Sequence, residues 1–98
     1  VYFMTYDIND EMAIGLYRGL TQLGYQIPTD VSVIGYDGID LDEYVSPALT
    51  TIQQPISRMG ELATELLINR INNPRIEQQV VELPVRLIQR SSTTAPKI

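Results

Sequence analysis

The fold is constrained most by an alternation of strand-like and helix-like segments within the first 36 residues. Residues 2–8 and 31–36 are short, apolar and rich in β-branched or aromatic side chains, a pattern that predicts two strands. The apolar residues between them recur at helical spacing and predict a helix: Ala13, Ile14, Tyr17, Leu20 and Leu23. Asn9-Asp10 offers an N-terminal cap for this helix, and Gly24 offers a left-handed C-terminal end. Two strands joined by one helix pair in parallel, so the sequence predicts an α/β fold.

The second half of the sequence continues with one more helix between extended segments. Residues 37–50 are predicted as a loop, and Thr50-Thr51-Ile52 as an extended segment. A helix is predicted from near Pro55, a residue suited to the first helical position, up to the stop at Asn72-Asn73-Pro74. Its apolar stripe consists of Ile56, Met59, Ala63, Leu66, Leu67 and Ile71.

Residues 79–83 and 85–89 are both predicted as strands. Pro84 separates them, and because proline cannot donate to a sheet ladder, the two strands are expected to belong to different sheets. The polar tail from Ser91 to Ile98 is expected to be loose.

The chain has 98 residues and is not expected to fold in isolation. A parallel unit of two strands cannot cover both of its faces. The sequence also opens on Val1-Tyr2-Phe3, which has the character of a strand interior. We therefore expect that the true N-terminus and the rest of the sheet lie in sequence outside this segment.

Composition excludes several kinds of site. The sequence has no cysteine and no histidine, which removes disulfides, thiolate metal sites, the commonest general base and the commonest zinc ligand. Its formal net charge is −5, so it lacks the basic surface typical of nucleic-acid binding. The apolar runs span only a few residues, far fewer than the roughly 20 that a membrane helix needs. We predict no cofactor, no bound metal and no membrane contact.

Polar side chains follow both predicted strands of the first unit. Asn9 lies at the junction between the first strand and its helix, and Asp37 lies directly after the second strand. Ligands of open α/β sheets bind outside the carboxyl ends of the strands. An asparagine both donates and accepts hydrogen bonds, and an ionised aspartate suits a pair of vicinal hydroxyls. The alternative is purely structural, with Asn9 or Asp10 as a helix cap and Asp37 as a turn residue.

Four segments, taken in order, resemble the C-terminal half of the effector-binding core of the lactose and galactose repressor family. The first three are residues 9–15, 31–37 and 47–55, and the fourth is the closing segment, residues 83–93. Ribose-type periplasmic sugar-binding proteins share the fold and the first two motifs. The third segment, with Leu49-Thr50-Thr51-Ile52 and Gln54, and the ending Arg90-Ser91-Ser92-Thr93 favour the repressor branch.

The resemblance implies part of a type I periplasmic-binding-protein-like fold, in which parallel sheets flanked by helices form two lobes joined by crossing strands. Residues 1–52 would belong to the C-terminal lobe. Residues 53–83 would supply the last helix and strand of the N-terminal lobe. Residues 84–98 would form the return strand and tail of the C-terminal lobe.

The resemblance also implies roles for individual residues. Asn9, Asp37 and Gln54 would line a cleft that binds a sugar or sugar phosphate. Ile56 falls where some members carry an aromatic residue that packs on the sugar, and Gly38 falls where many carry a second aspartate, so neither is counted as a ligand.

The predicted function is that of a cytoplasmic, sugar-responsive transcription regulator rather than an enzyme, with no catalytic residue. Ile14, Arg18 and Tyr44 would contribute to a homodimer interface, although Ile14 and Tyr44 can also be explained as packing within their own lobe. DNA would be bound by an N-terminal domain outside these residues. The alternative is a soluble sugar-binding protein of a transport system. The acidic loop around Asp40 lacks the spacing of a calcium site.

Overall fold

The computed structural model describes residues 3–6 and 9–95. The elements are β1 (Phe3–Tyr6), α1 (Asp10–Gln22), β2 (Val31–Asp37), a short 3₁₀ helix (Asp40–Glu43), β3 (Thr50–Gln53), α2 (Ile56–Asn72) and β4 (Arg86–Ile88). The α/β class predicted from the sequence is confirmed. Residues 2, 7 and 8, which belong to the first predicted strand, lie outside the described residues.

The chain divides into two compact units. One comprises the residues up to Gln54 together with those from Arg86 onward, and the other is Pro55–Val85. The assignment of the three predicted segments to lobes of a larger protein remains a prediction.

The first unit is built on one mixed sheet with the strand order β1-β2-β3-β4. β1 and β2 run parallel, as the strand–helix–strand pattern predicts. The extended segment at Thr50–Gln53 forms β3, which pairs parallel with β2, and β4 pairs antiparallel with β3. The carboxyl ends of β1, β2 and β3 therefore meet at one edge of the sheet.

Helix α1 packs on this sheet through its apolar face. Ala13 and Tyr17 from the helix are buried together with Val31, Val33 and Leu49. The Tyr17 hydroxyl donates a hydrogen bond of 2.9 Å to the carbonyl oxygen of Pro47. This bond satisfies the polar end of a largely buried ring, as buried tyrosines generally require.

Both predicted ends of α1 are confirmed. The Asn9 side chain caps the first turn, and Gly24 lies just after the helix with φ 86°. This left-handed conformation is accessible to glycine at little cost.

The closing segment of the chain is anchored, contrary to the expectation of a loose tail. Ser92 is fully buried, and its hydroxyl donates to the Val33 carbonyl at 2.6 Å and accepts from the Thr50 N–H at 2.8 Å. The Thr94 N–H donates to the Ser32 hydroxyl at 3.2 Å. The prediction fails because a run of small polar residues suggests solvent exposure, whereas here their hydroxyls complete the hydrogen bonding of β2 and β3. Residues 96–98 lie outside the described residues.

The second unit contains α2, which begins directly after Pro55 and ends at Asn72, as predicted. Most of its apolar stripe is exposed, including Ile56 and Ile71, and Leu66 is half-buried. The strand predicted at residues 79–83 is wrong, because these residues pair with no strand in the described part of the chain. An extended segment becomes a strand only where a partner strand accepts its hydrogen bonds. The strand predicted at 85–89 is confirmed as the shorter β4.

Among the described residues, no helix has both the length and the apolar character required to cross a membrane.

Candidate functional site

The predicted ligand residues lie where three adjacent strands end. Asn9 precedes α1 shortly after β1, Asp37 is the last residue of β2, and Gln54 directly follows β3. Asp37 is in register with Gln53, so the ends of β2 and β3 lie side by side. The parallel sheet thus brings together chain segments that are 28 and 17 residues apart, at the edge where α/β folds place their ligands.

Asp37 and Gln54 form a hydrogen-bonded pair at this edge. The Gln54 side chain donates from Nε2 to Oδ1 of Asp37 at 2.6 Å, and the Gln54 N–H donates to the Asp37 carbonyl at 3.0 Å. Asp37 is half-buried and has φ 143°, a backbone conformation that residues other than glycine rarely adopt. Such geometry is maintained where neighbouring groups fix the chain, and it is concentrated at functional sites.

The second carboxylate oxygen of Asp37 accepts no hydrogen bond within the described residues. Because an ionised carboxylate has about four acceptor positions, the pair with Gln54 leaves Asp37 able to accept from further donors. A carboxylate fixed on one side and open on the other is suited to binding hydroxyl groups.

Asn9 is a helix cap in this structure. Its Oδ1 accepts from the Met12 N–H at 2.8 Å. The cap uses only the oxygen of the side-chain amide, whose NH₂ group carries two donors. Capping and ligand binding are therefore compatible, and the structural alternative for Asn9 does not exclude the functional one.

Asp10 is a central residue of this region that the sequence analysis considered only as a possible cap. Its side chain is fully buried. Oδ2 accepts from the N–H groups of Gly38 and Ile39 at 2.7 and 3.0 Å, and Oδ1 accepts from the Thr51 hydroxyl at 2.6 Å. Asp10 thus ties the start of α1 to the loop after Asp37 and to β3.

Gly35 makes room for this carboxylate. A Cβ atom at position 35 would collide with Oδ1 of Asp10 and would lie 2.9 Å from the Leu49 side chain. A glycine in the middle of a strand is a sequence signal for close approach of another group. It was the one local sign of the buried Asp10.

A second buried acid, Asp42, lies against Asp10. It is the third residue of the 3₁₀ helix and is fully buried, and neither of its carboxylate oxygens has a hydrogen-bond partner among the described residues. Burial raises the pKa of Asp42 to about 8, and the hydrogen bond and negative charge of Asp10 contribute to the increase. Burial also tends to raise the pKa of Asp10, but its hydrogen bonds with Asp42, Thr51, Ile39 and Gly38 outweigh this and hold it below the usual value.

The predicted interface residues lie on the outer side of α1 and the loop beyond it. Ile14 is half-buried and Arg18 is exposed, and both line an open groove with Val45 and Ser46. Tyr44 is 78% exposed and adjoins the groove through Val45 without lining it. The structure thus brings Ile14 and Arg18 together and leaves the Tyr44 ring in solvent.

Residues 6–93 match the family model described as a periplasmic binding protein-like domain. The chain is 48% identical over 84 residues to the ribose operon repressor of Escherichia coli K12, an alignment that covers 86% of this chain and 26% of the repressor. It therefore spans about a quarter of the length of that relative.

Solved structures of related regulators are also similar to this chain, both in sequence and in fold. The LacI family transcriptional regulator from Enterococcus faecalis V583 with bound ribose is 50% identical, with a TM-score of 0.89 over 93% of this chain and 34% of that one. The lac repressor dimer bound to operator and an anti-inducer is 32% identical, with a TM-score of 0.84 over 94% of this chain and 32% of that one.

Proposed function

This chain belongs to the LacI family of transcription regulators, as part of the periplasmic-binding-protein-like effector domain, and from this premise we propose that it binds a free sugar. The proposal rests on one observation, the carboxylate of Asp37 held by Gln54 at the carboxyl edge of the parallel sheet. We assign no enzymatic activity, because the relatives are repressors.

The chemistry of the pair favours a neutral polyhydroxylated ligand. A carboxylate accepts from two adjacent sugar hydroxyls, and the NH₂ group of Asn9 can donate to a ring or hydroxyl oxygen. A phosphate would bring negative charge towards Asp37, and like charges at close range are unfavourable. We therefore propose a free sugar rather than a sugar phosphate, with ribose as the first candidate, because a relative of 50% identity binds it.

Calorimetric titration of the full-length protein tests this proposal. Ribose should bind saturably with one site per chain, and ribose 5-phosphate should bind at least tenfold more weakly, since a difference of about 1.4 kcal/mol corresponds to tenfold. Equal binding of the two compounds would contradict the charge argument, and the absence of ribose binding would contradict the choice of effector.

We further propose that the regulator acts in the cytoplasm as a homodimer, with the groove beside Ile14 and Arg18 as part of the interface. The groove is mainly apolar, and the exposed Tyr44 ring at its side suits an interface anchor, because aromatic residues dominate binding energy at interfaces. The related lac repressor binds operator DNA as a dimer. In a two-fold dimer the same surface contributes from both copies. DNA contact would come from a region outside this acidic chain.

Replacing both Ile14 and Tyr44 with alanine should shift the full-length protein from dimer to monomer at low micromolar concentration. Ribose affinity should change less than twofold, because the groove beside these residues is lined by neither Asp37 nor Gln54. Sedimentation velocity and calorimetry on the same preparation measure the two quantities. The matched control is Leu23→Ala with Tyr25→Ala, which removes an exposed aliphatic and an exposed aromatic group beyond the end of α1. A double mutant that remains dimeric would place the interface elsewhere, and one that also loses ribose binding would show that the residues are core.

A further inference from the structure

The two buried acids, Asp10 and Asp42, differ in their hydrogen-bond donors. Asp10 accepts three hydrogen bonds, two from backbone N–H groups and one from Thr51. Neither oxygen of Asp42 accepts a well-formed hydrogen bond from an N–H or hydroxyl in the described part of the chain. A buried carboxylate without donors is strongly unfavourable, whereas a buried neutral acid can donate to a neighbour.

This difference determines which acid carries the charge. Two carboxylates in contact in a buried site cannot both ionise readily, so they share one proton. A single shared proton would reside on Asp42, which lacks donors, and the negative charge would reside on Asp10, where three donors stabilise it. Asp42 would then donate to Asp10, and both acids would be satisfied.

The other ionisable groups near Asp42 do not replace this proton. Arg90 lies 3.7 Å from Oδ2 of Asp42, and it also faces Glu43 at 3.8 Å. The shortest contact of Arg90 is a 2.8 Å hydrogen bond to the Leu49 carbonyl oxygen. From α1, Tyr17 faces the same site, where burial raises the pKa of its hydroxyl. The single charge of Arg90 is thus divided between two acids and a carbonyl group.

We propose that Asp10 and Asp42 share one proton, and that losing it loosens the loop directly after Asp37, so that effector affinity falls in alkaline solution. The effector part rests on the proposed sugar-binding function. The mechanical link is short, because the Asp10 oxygen that holds the Gly38 and Ile39 N–H groups fixes the two residues immediately after Asp37. The Asp42 N–H donates to the Ile39 carbonyl at 3.1 Å, which connects the 3₁₀ helix to the same loop. Repulsion between two ionised carboxylates would push the 3₁₀ helix away from α1 and strain these bonds.

The direction of the pH dependence follows from the proton count. The pKa of Asp42 is raised to about 8 in the folded chain from an ordinary value of 3.8. Between these values the folded state holds a proton that the unfolded state has released, so this contribution to stability declines as the pH rises towards 8. Effector affinity should follow the protonated fraction, because the intact pair is the state that fixes the Asp37 loop.

Ribose titrations of the full-length protein at several pH values test the proposal. If binding requires the shared proton, affinity should fall by about tenfold between pH 7 and pH 9, the loss of protonated fraction for a pKa near 8. Asp42→Asn keeps a permanent donor of the same size, so its affinity should change less than twofold over this range. Asp40→Asn, an exposed acid in the same 3₁₀ helix, is the matched control and should behave like the wild type. An Asp42→Asn protein that retains the tenfold decline would overturn the proposal.

A measurement without ligand separates this inference from the proposed function. Carbon-13 labelling of aspartate side chains should reveal a carboxyl that titrates near pH 8 in the wild type and is missing from the Asp42→Asn spectrum. If all aspartates titrate near their ordinary values, the shared proton does not exist, whether or not ribose binds. If this carboxyl titrates as expected and ribose fails to bind at any pH, the acid pair stands and the choice of effector is wrong.

Discussion

Asp37→Ala should weaken ribose binding to the full-length protein by about 1.5–3 kcal/mol, the range for hydrogen bonds to a charged group. This corresponds to a loss of affinity of roughly 10- to 150-fold. The effect is large because the substitution removes the hydroxyl acceptor and also releases the Gln54 side chain, whose amide donates to Asp37 at 2.6 Å. Calorimetry at pH 7 measures the change.

The control for this substitution is Asp40→Ala. Asp40 is an exposed acid three residues further along the same loop, so its removal changes the net charge equally without touching the pair. Its ribose affinity should stay within twofold of the wild type. Unchanged affinity in Asp37→Ala would remove Asp37 from the site.

Asp10→Ala should be the most destabilising single change in this region, costing about 3–5 kcal/mol of unfolding free energy, because it leaves several buried hydrogen-bond donors unpaired. It leaves the N–H groups of Gly38 and Ile39 and the Thr51 hydroxyl without an acceptor. It also opens a cavity beside Gly35. Each unsatisfied buried group costs about 1–3 kcal/mol, and partial access of water keeps the total below the sum.

Urea denaturation of the full-length protein, followed by circular dichroism, measures this loss. Asp10→Asn is the informative comparison, because it fills the space and keeps one acceptor while removing the charge. It should lie between alanine and the wild type. A cost below about 0.5 kcal/mol for Asp10→Ala, the scale of an ordinary surface change, would mean that the network contributes little to stability.

Local periodicity was sufficient to predict the two helices and the parallel pair of β1 and β2. Ala13 and Tyr17 are buried as their spacing predicts, and Asn9 and Gly24 mark the ends of α1. The strand predicted at residues 79–83 rested on apolar and β-branched side chains alone. The prediction was wrong because a strand also needs a neighbouring strand to pair with, and the sequence pattern does not reveal one. The prediction of a loose tail was wrong because the tail does find partners: the Ser92 hydroxyl donates to the Val33 carbonyl, 59 residues earlier in the sequence.

The candidate site was predictable only in part. Asp37 could be found because polar residues after apolar strands collect at one sheet edge, whereas Gln54 was found through family resemblance. The contacts of Asp10 join residues 28 to 41 positions apart, so the sequence carried no local sign of them apart from the glycine at position 35. Asp42 looked like one more acid in a solvated loop, and only the fold shows that the 3₁₀ helix turns it inwards.

A crystal structure of the full-length protein with ribose tests the assignment of Asp37 to the sugar site without relying on mutants. We expect the sugar at the carboxyl edge of the parallel sheet, with two of its hydroxyls donating to Asp37 at hydrogen-bond distance and the Asn9 amide in contact with the sugar. Ribose bound elsewhere, or bound at this edge without contact to Asp37, would contradict the account.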